Sequence, residues 1–208
     1  ASISLQTSPS AIREHPYLGE IVDLIGAYER LRLGSGVPAT TRARLREPKL
    51  DYHLEMEGNK PVLRRVVYAP WRTVEAAEGA TWEIDVKDGP CRVGVEVAAQ
   101  RGRPVDPGSS GGPTVSAEQP FLEVDGKRLA WEVSLAEGQV LRYRPGWPTR
   151  VVGPRAGQTS RVASPKGITL TTGRHRVRFA CAGGLRAGVL VRLILLYDDC
   201  LPASGARH

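Results

Sequence analysis

The stretch GRHRVRFACAGGLRAGVLVRLILLY, ending at Tyr197, constrains the fold more than any other part of the chain. In its first arm His175, Val177, Phe179 and Cys181 alternate with Arg174, Arg176 and Arg178, the period-two pattern of a half-buried strand. In its second arm Val189, Val191, Leu193 and Leu195 fill one face. Leu190, Ile194 and Leu196 fill the other, broken only by Arg192. A strand apolar on both faces needs cover from both sides. The pattern predicts two paired strands joined through a glycine-rich turn, with a second layer on one face of their sheet and further chain on the other.

The same alternation recurs upstream. Trp82, Ile84 and Val86 alternate with charged residues, and Val93, Val95 and Val97 follow after Asp88-Gly89-Pro90. Leu122 and Val124 lead into Asp125-Gly126, a two-residue hairpin signal. Counting outward from that turn pairs Leu122 with Leu129 and sets Trp131 on the same face. Val140–Tyr143 and Ile168–Thr172 add two further strands. The whole is mainly β, with the strand-and-turn rhythm of a β-sandwich or jelly roll. Two long connections interrupt it, over 100–120 and over 144–167, and connections of that length are commonly functional or disordered.

Before the strands lies a helix over His15–Leu33. Tyr17, Leu18, Ile21, Leu24, Ile25, Tyr28 and Leu31 fall on one face, Pro16 suits the first turn and Gly34 the stop. Its stripe needs a surface, either the second face of Val189–Tyr197 or a domain outside this chain. TTRARLREP reads as a short helical turn ending before Pro48, and Leu50–Met56, Gly58-Asn59 and Val62–Tyr68 as a strand, a turn and a strand. The expected organisation is a helical extension and connector over 1–75, a β domain over 76–202 and a disordered tail over 203–208.

With 208 residues, 41% hydrophobic and 25% charged, the chain can bury one substantial core. No apolar run approaches the ~20 residues of a membrane span, and no secretory signal opens the chain. Beginning without Met, it reads as a piece of a longer protein. The net charge of +7 favours acidic partners, although the arginines are scattered and a well-solvated surface explains them equally simply. Cys91, Cys181 and Cys200 show no CxxC spacing. Cys181 falls on the core side of its strand, and Cys91 with Cys200 could form a bridge.

Motifs for catalysis are missing. Gly108-Ser109-Ser110-Gly111-Gly112 matches G-x-S-x-G, but the nucleophile elbow needs a strand before it and a helix after it, and prolines flank this one. There is no H-E-x-x-H, P-loop or G-x-G-x-x-G. Glu83/Asp85 and Glu123/Asp125 could form an acid/base couple on a sheet face, though alternating acids there usually only solvate it. Asp198 and Asp199 could give oxygens to a structural calcium or simply end a strand, and the second reading is preferred; no other cofactor is expected. Arg174, Arg176 and Arg178 form a row of guanidinium forks that can grip sulfate, carboxylate or phosphate, with Arg192 near them on the partner strand. No aromatics interleave with these arginines, which argues against nucleic acid. Trp82 and Trp131 have core parity. Trp71 reads as an anchor at the core edge. Trp147, between Gly146 and Pro148 and close to Tyr143, Arg144 and Arg150, is the better candidate for stacking on a ligand.

Three segments, TWEIDV…CRVGVEVAAQ, FLEVDGKRLAWEVSLAEGQVLRY and GRHRVRFACAGG…VLVRLILLYDD, resemble the β-sandwich accessory modules of bacterial multidomain glycoside hydrolases. A V-D-G hairpin, an L-x-x-G-x-x-L-x-Y segment and a late G-x-H-x-V-x-F strand carry the likeness, over roughly 75–200. The N-terminal helix is similar to helices that close a catalytic barrel in such enzymes. The resemblance implies a galactose-binding-like or jelly-roll fold and a non-catalytic module of a secreted, extracellular or periplasmic parent protein. It implies poly- or oligosaccharide as the ligand, bound through Trp147, Tyr143 and nearby arginines, with a catalytic domain of the same parent as a further partner and no membrane association. A structural module without a ligand and, less favoured, a polysaccharide-degrading enzyme remain as other readings.

Overall fold

The computed structural model describes residues 22, 25–26, 28–29, 37–48, 50–57, 60–75, 79–99, 115–154, 158–186 and 188–202, with the side chains of 56–57, 60–61 and 198–202 excepted. Contacts divide the chain into two units, one formed by Ala1–Val67 with Tyr197–His208 and one by Tyr68–Leu196.

In the first unit a short helix, α1 (Ala39–Arg44), starts after Pro38, with Arg42 and Arg44 in its last turn, where cations oppose the negative end of a helix. Strands β1 (Asp51–Glu57) and β2 (Lys60–Tyr68) pair antiparallel, from Asp51↔Val66 to Glu57↔Lys60. Gly58 and Asn59, where a turn was expected, lie outside the described residues. Leu54 and Leu63 oppose one another and are both buried, with Tyr28 and Tyr52 packed against them. Of the helix expected over His15–Leu33, Val22, Ile25, Gly26, Tyr28 and Glu29 are described and are helical. Tyr28 anchors that stretch, its hydroxyl accepting the Leu54 N–H at 3.2 Å. The surface that receives this helical residue is therefore the β1–β2 hairpin, a solution that periodicity alone could not point to. Arg65, itself buried, lies with its guanidinium 3.7 Å from the centre of the Tyr197 ring.

The second unit is all antiparallel β in its described pairings. One sheet has the order β14 (Val189–Pro202), β5 (Cys91–Ala98), β9 (Val140–Tyr143), β10 (Thr149–Val152), β11 (Thr159–Val162), with β12 (Thr169–Leu170) on β5 and β3 (Arg72–Val74) on β14. The other has the order β4 (Ala80–Val86), β13 (Gly173–Arg186), β6 (Ser116–Val124), β7 (Lys127–Ala130), with β8 (Ser134–Ala136) on β6. Alternation dictates the core. Val93, Val95, Val177, Phe179, Val191 and Leu193 are fully buried, each such side chain stabilising the fold by roughly 1.5–3 kcal/mol. Trp131 packs on Tyr143 of β9 with ring centroids 5.2 Å apart, so a residue just past β7 reaches a strand of the other sheet.

The Asp125-Gly126 turn forms as expected. Both residues have positive φ, 47° and 80°, the backbone of a type I′ hairpin, and Leu122 pairs with Leu129. Two expectations fail. The arms of the 173–197 stretch do not pair with each other. β13 has β4 on one edge and β6 on the other, and β14 belongs to the other sheet. The glycine-rich segment instead carries the irregularity in β13 between Cys181 and Gly184, where φ of Gly184 is 118°. Residues 144–167 are not one long connection either. They contain the β10–β11 hairpin, in which Thr149 and Val151 are buried while Arg150 and Val152 are partly exposed. Strands of four residues give too short an alternation to read in isolation. Ile194 and Leu196 on the second face of β14 are buried, as the two-sided pattern required. Pro145 contributes to that cover. A Cβ on Gly94 would lie 3.3 Å from Pro145 Cδ and 3.4 Å from Ile194 Cβ, so these groups crowd the same spot.

Candidate functional site

The arginines of β13 do not act as one basic row. Register places Arg174 opposite Asp85, Arg176 opposite Glu83 and Arg178 opposite Glu123, which in turn opposes Arg128. Opposite charges directly across strands stabilise a sheet by a few tenths of a kcal/mol to about 1 kcal/mol. At the end of this face, Asp125 binds His175 through Oδ2 and Nδ1 at 2.5 Å and accepts the Arg176 N–H at 3.0 Å. The other ring nitrogen of His175 donates to the Thr171 carbonyl at 2.7 Å. With two acceptors around it, the imidazole is held above its ordinary pKa, chiefly by the Asp125 hydrogen bond. The Asp125 carboxyl is held below its own, chiefly by the His175 bond. A cavity of about 480 Å³ is lined here by Gly79, Thr81, Glu123, Asp125, Gly126, Arg176 and Arg178. It contains two carboxylates, those of Glu123 and Asp125.

The other sheet carries a different arrangement. Glu96 on β5 is 3% exposed. Its Oε2 accepts Arg192 Nε at 2.6 Å, with Arg192 Nη2 also in contact, and its Oε1 accepts Arg144 Nη2 at 3.2 Å. Arg142, opposite Glu96 across the β5–β9 register, approaches Oε1 at 3.8 Å. A buried carboxylate needs such partners, since an ion removed from water costs several kcal/mol unless it is paired. The guanidinium of Arg192 also lies 4.7 Å from the ring centre of Tyr68 and 4.6 Å from that of Trp71. Both are cation–π distances. Trp71 is fixed by its neighbours. The Ala69 N–H donates to Leu193 O at 2.9 Å, and Arg72 opposes Val191 at the start of β3. The indole is nevertheless 42% exposed.

The residues singled out from sequence fare unequally. Arg144 and Arg150 come to the same face as Arg142 and Arg192, Arg144 through Glu96 and Arg150 through its place opposite Arg142. Trp147 is half-buried in the tight β9–β10 turn, its N–H donated to Arg144 O at 3.0 Å. Tyr143 is 2% exposed and stacked on Trp131, so the expectation that it extends a stacking platform is corrected. Its inward parity on β9 is the reason, and burial raises its pKa. Arg174, Arg176 and Arg178 belong to the other sheet, so Arg192 does not join them. The side chains of Asp198, Asp199 and Cys200 lie outside the described residues. Among the described residues no group of three or more His, Cys, Asp or Glu side chains is placed to hold a metal. None of the described helices is long and apolar enough to cross a membrane. Cys181 is buried, and its thiol is pushed up to about 11, far from a reactive thiolate.

The sequence analysis did not single out Glu96 or Arg142, read Trp71 as an anchor at the core edge and placed Arg192 beside the arginines of β13. Glu96 left one trace: it is an acid on the Arg92, Gly94, Glu96, Ala98 side of a strand whose other side is Cys91, Val93, Val95 and Val97. The rest depends on pairing partners far away in sequence.

No family model matches the chain, and no curated protein matches it. Among solved structures, a cycloisomaltooligosaccharide glucanotransferase from Paenibacillus sp., complexed with cycloisomaltoheptaose, aligns at 14% identity and a TM-score of 0.25, over 71% of this chain and 16% of that one. The chain thus spans about a sixth of that enzyme's length, and a likeness so distant carries no weight here.

Proposed function

We propose that the Tyr68–Leu196 unit is a glycan-binding accessory module of the β-sandwich, galactose-binding-like kind, without catalysis or a cofactor of its own. It would serve a catalytic domain in a secreted parent protein, and its binding surface is the outer face of the β14–β5–β9–β10–β11 sheet. One observation carries this reading: Trp71 is exposed yet immobilised, with Arg192 against its ring and Arg192 itself locked onto buried Glu96. An indole held this way offers an apolar platform to a pyranose ring at little cost in conformational entropy. Guanidinium groups beside it can donate hydrogen bonds to hydroxyls. The stacking role that sequence gave to Trp147 passes to Trp71, because the β9–β10 turn half-buries Trp147.

Affinity electrophoresis of the whole chain on gels cast with neutral or anionic polysaccharides tests the proposal. At least one polysaccharide is expected to retard the chain, and Trp71→Ala to abolish the retardation while leaving the circular dichroism spectrum unchanged. A native chain that migrates freely in every gel rules the reading out.

A further inference from the structure

The cavity of about 480 Å³ on the β4–β13–β6–β7 sheet has no part in the glycan reading above. Strand register builds it. Arg178 has Thr81 of β4 on one side and Glu123 of β6 on the other, and Arg176 lies two residues away on β13, beside the Asp125-Gly126 turn. At the β4 end the chain presses directly on β13, where a Cβ on Gly79 would collide with the Phe179 carbonyl oxygen. At the turn the wall is open, since a Cβ on Gly126 would meet nothing within 4 Å. The volume falls within the roughly 300–1,000 Å³ of small-molecule sites. Every side chain that lines it is polar, so an apolar ligand has nothing to pack on.

The lining is balanced in charge, with two guanidinium groups against two carboxylates. An anion entering it meets Glu123 and Asp125, and a cation meets Arg176 and Arg178, so neither sign gains. A hydroxyl gains from both, because it donates to a carboxylate and accepts from a guanidinium. Pairing with an acid across the ladder does not exhaust a guanidinium, which has about five N–H donors. Asp125 is held ready for such a ligand. His175 Nδ1 and the Arg176 N–H each engage one of its oxygens, at 2.5 and 3.0 Å, and an ionised carboxylate offers roughly four lone-pair sites. The same two bonds keep its pKa down. A group already fixed loses little freedom when a ligand arrives. We infer that this cavity is a second binding site on the Tyr68–Leu196 unit, for a neutral polyhydroxylated small molecule such as a free mono- or disaccharide, recognised by hydrogen bonds alone. It lies on a different sheet from the Trp71 platform and stands without it.

The whole isotope-labelled chain is titrated with glucose, galactose and maltose, and in parallel with glucuronate, glucosamine and glycine, while its amide resonances are followed by NMR. Saturable shifts at Thr81, Gly126, Arg176 and Arg178 are expected with a neutral sugar, and binding about tenfold weaker or worse with the charged molecules. Thr81→Phe, which fills the cavity from the outer face, should abolish these shifts. Trp71→Ala, which should end retardation by polysaccharide, should leave them in place. Glu123→Gln/Asp125→Asn keeps the shape and the turn, since Asn-Gly suits a type I′ hairpin, but makes the lining cationic. It should weaken binding of the neutral sugar and strengthen that of glucuronate. Thermal melting checks each variant, and should the double variant unfold, Glu123→Gln alone carries the test with the same expected direction. Tighter binding of glucuronate, glucosamine or glycine than of any neutral sugar by the native chain would overturn the neutral polyol as ligand. Shifts confined to the surroundings of Trp71 and lost in Trp71→Ala would overturn the second site and leave the Trp71 platform standing. No shift with any sugar would also overturn the second site, while retardation in the polysaccharide gels decides the first reading separately.

Discussion

The outer faces of the two sheets use the same residue type in opposite ways. On the β4–β13–β6–β7 sheet, Arg174, Arg176, Arg178 and Arg128 each oppose a carboxylate. On the β14–β5–β9–β10–β11 sheet, Glu96 is the centre of an arginine cluster, and beyond it arginine faces arginine. The first face is balanced within the fold. The second concentrates positive charge against cross-strand preference, and it also presents an exposed indole. A basic residue in a sequence therefore says little until its cross-strand partner is known. In this chain the most regular row of arginines, on β13, is the one already matched by acids.

If the two faces differ in this way, removing a carboxylate from each must have unequal effects. Glu96→Gln leaves Arg192 and Arg144 without their charged partner around a buried site and should cost about 3 kcal/mol, the scale for breaking a buried ion pair. Glu123→Gln on the other face breaks only cross-strand contacts at a solvated surface and should cost under ~1 kcal/mol. Urea denaturation of both variants reads the difference directly. Equal losses would show that Glu96 is no more deeply committed than a surface acid, and the contrast between the faces would collapse.

Removing an arginine from the balanced face should have a small effect. Arg176→Gln loses its attraction to Glu83 and should destabilise by up to about 0.5 kcal/mol. Thermal melts at low and high salt check this, since salt should shrink the Arg176→Gln effect.

Much of the fold was legible because it is written in local signals. Asp125-Gly126 set both a turn and a register, and the two-sided apolar pattern of Val189–Leu196 announced a strand covered on both faces. The site was not legible. Glu96 and Arg192 are 96 positions apart, and Arg142, Arg150 and Arg161 meet only because β9, β10 and β11 are neighbours in one sheet. Tyr143 misled for a related reason. An aromatic residue near a turn looks exposed until the parity of a four-residue strand, and the closure of the turn, are known. The supposed pairing of β13 with β14 failed because adjacency in sequence was taken for adjacency in space, and crossing between two sheets breaks that rule.

The smallest expected effect concerns the pH response of the balanced face. Asp125 has its pKa lowered below 3.8 by His175 and the Arg176 N–H, with Lys127 adding a minor share. It therefore stabilises the fold above its unfolded value, and the contribution is lost as pH falls through the depressed folded value. His175 has its pKa raised above 6.5. Its contribution is complete below that unfolded value and disappears as pH rises through the raised folded one. The pair is thus fully effective between about pH 4 and 6.5 and weakens on both sides. Solvent reaches Asp125, whose side chain is 47% exposed, so screening keeps the effect modest. His175→Gln should flatten the dependence of melting temperature on pH above 6.5, while Arg150→Gln on the other face should leave that slope unchanged. If both variants keep the native slope, the His175–Asp125 pair contributes nothing to the pH response, and the alkaline loss must arise on another part of the chain.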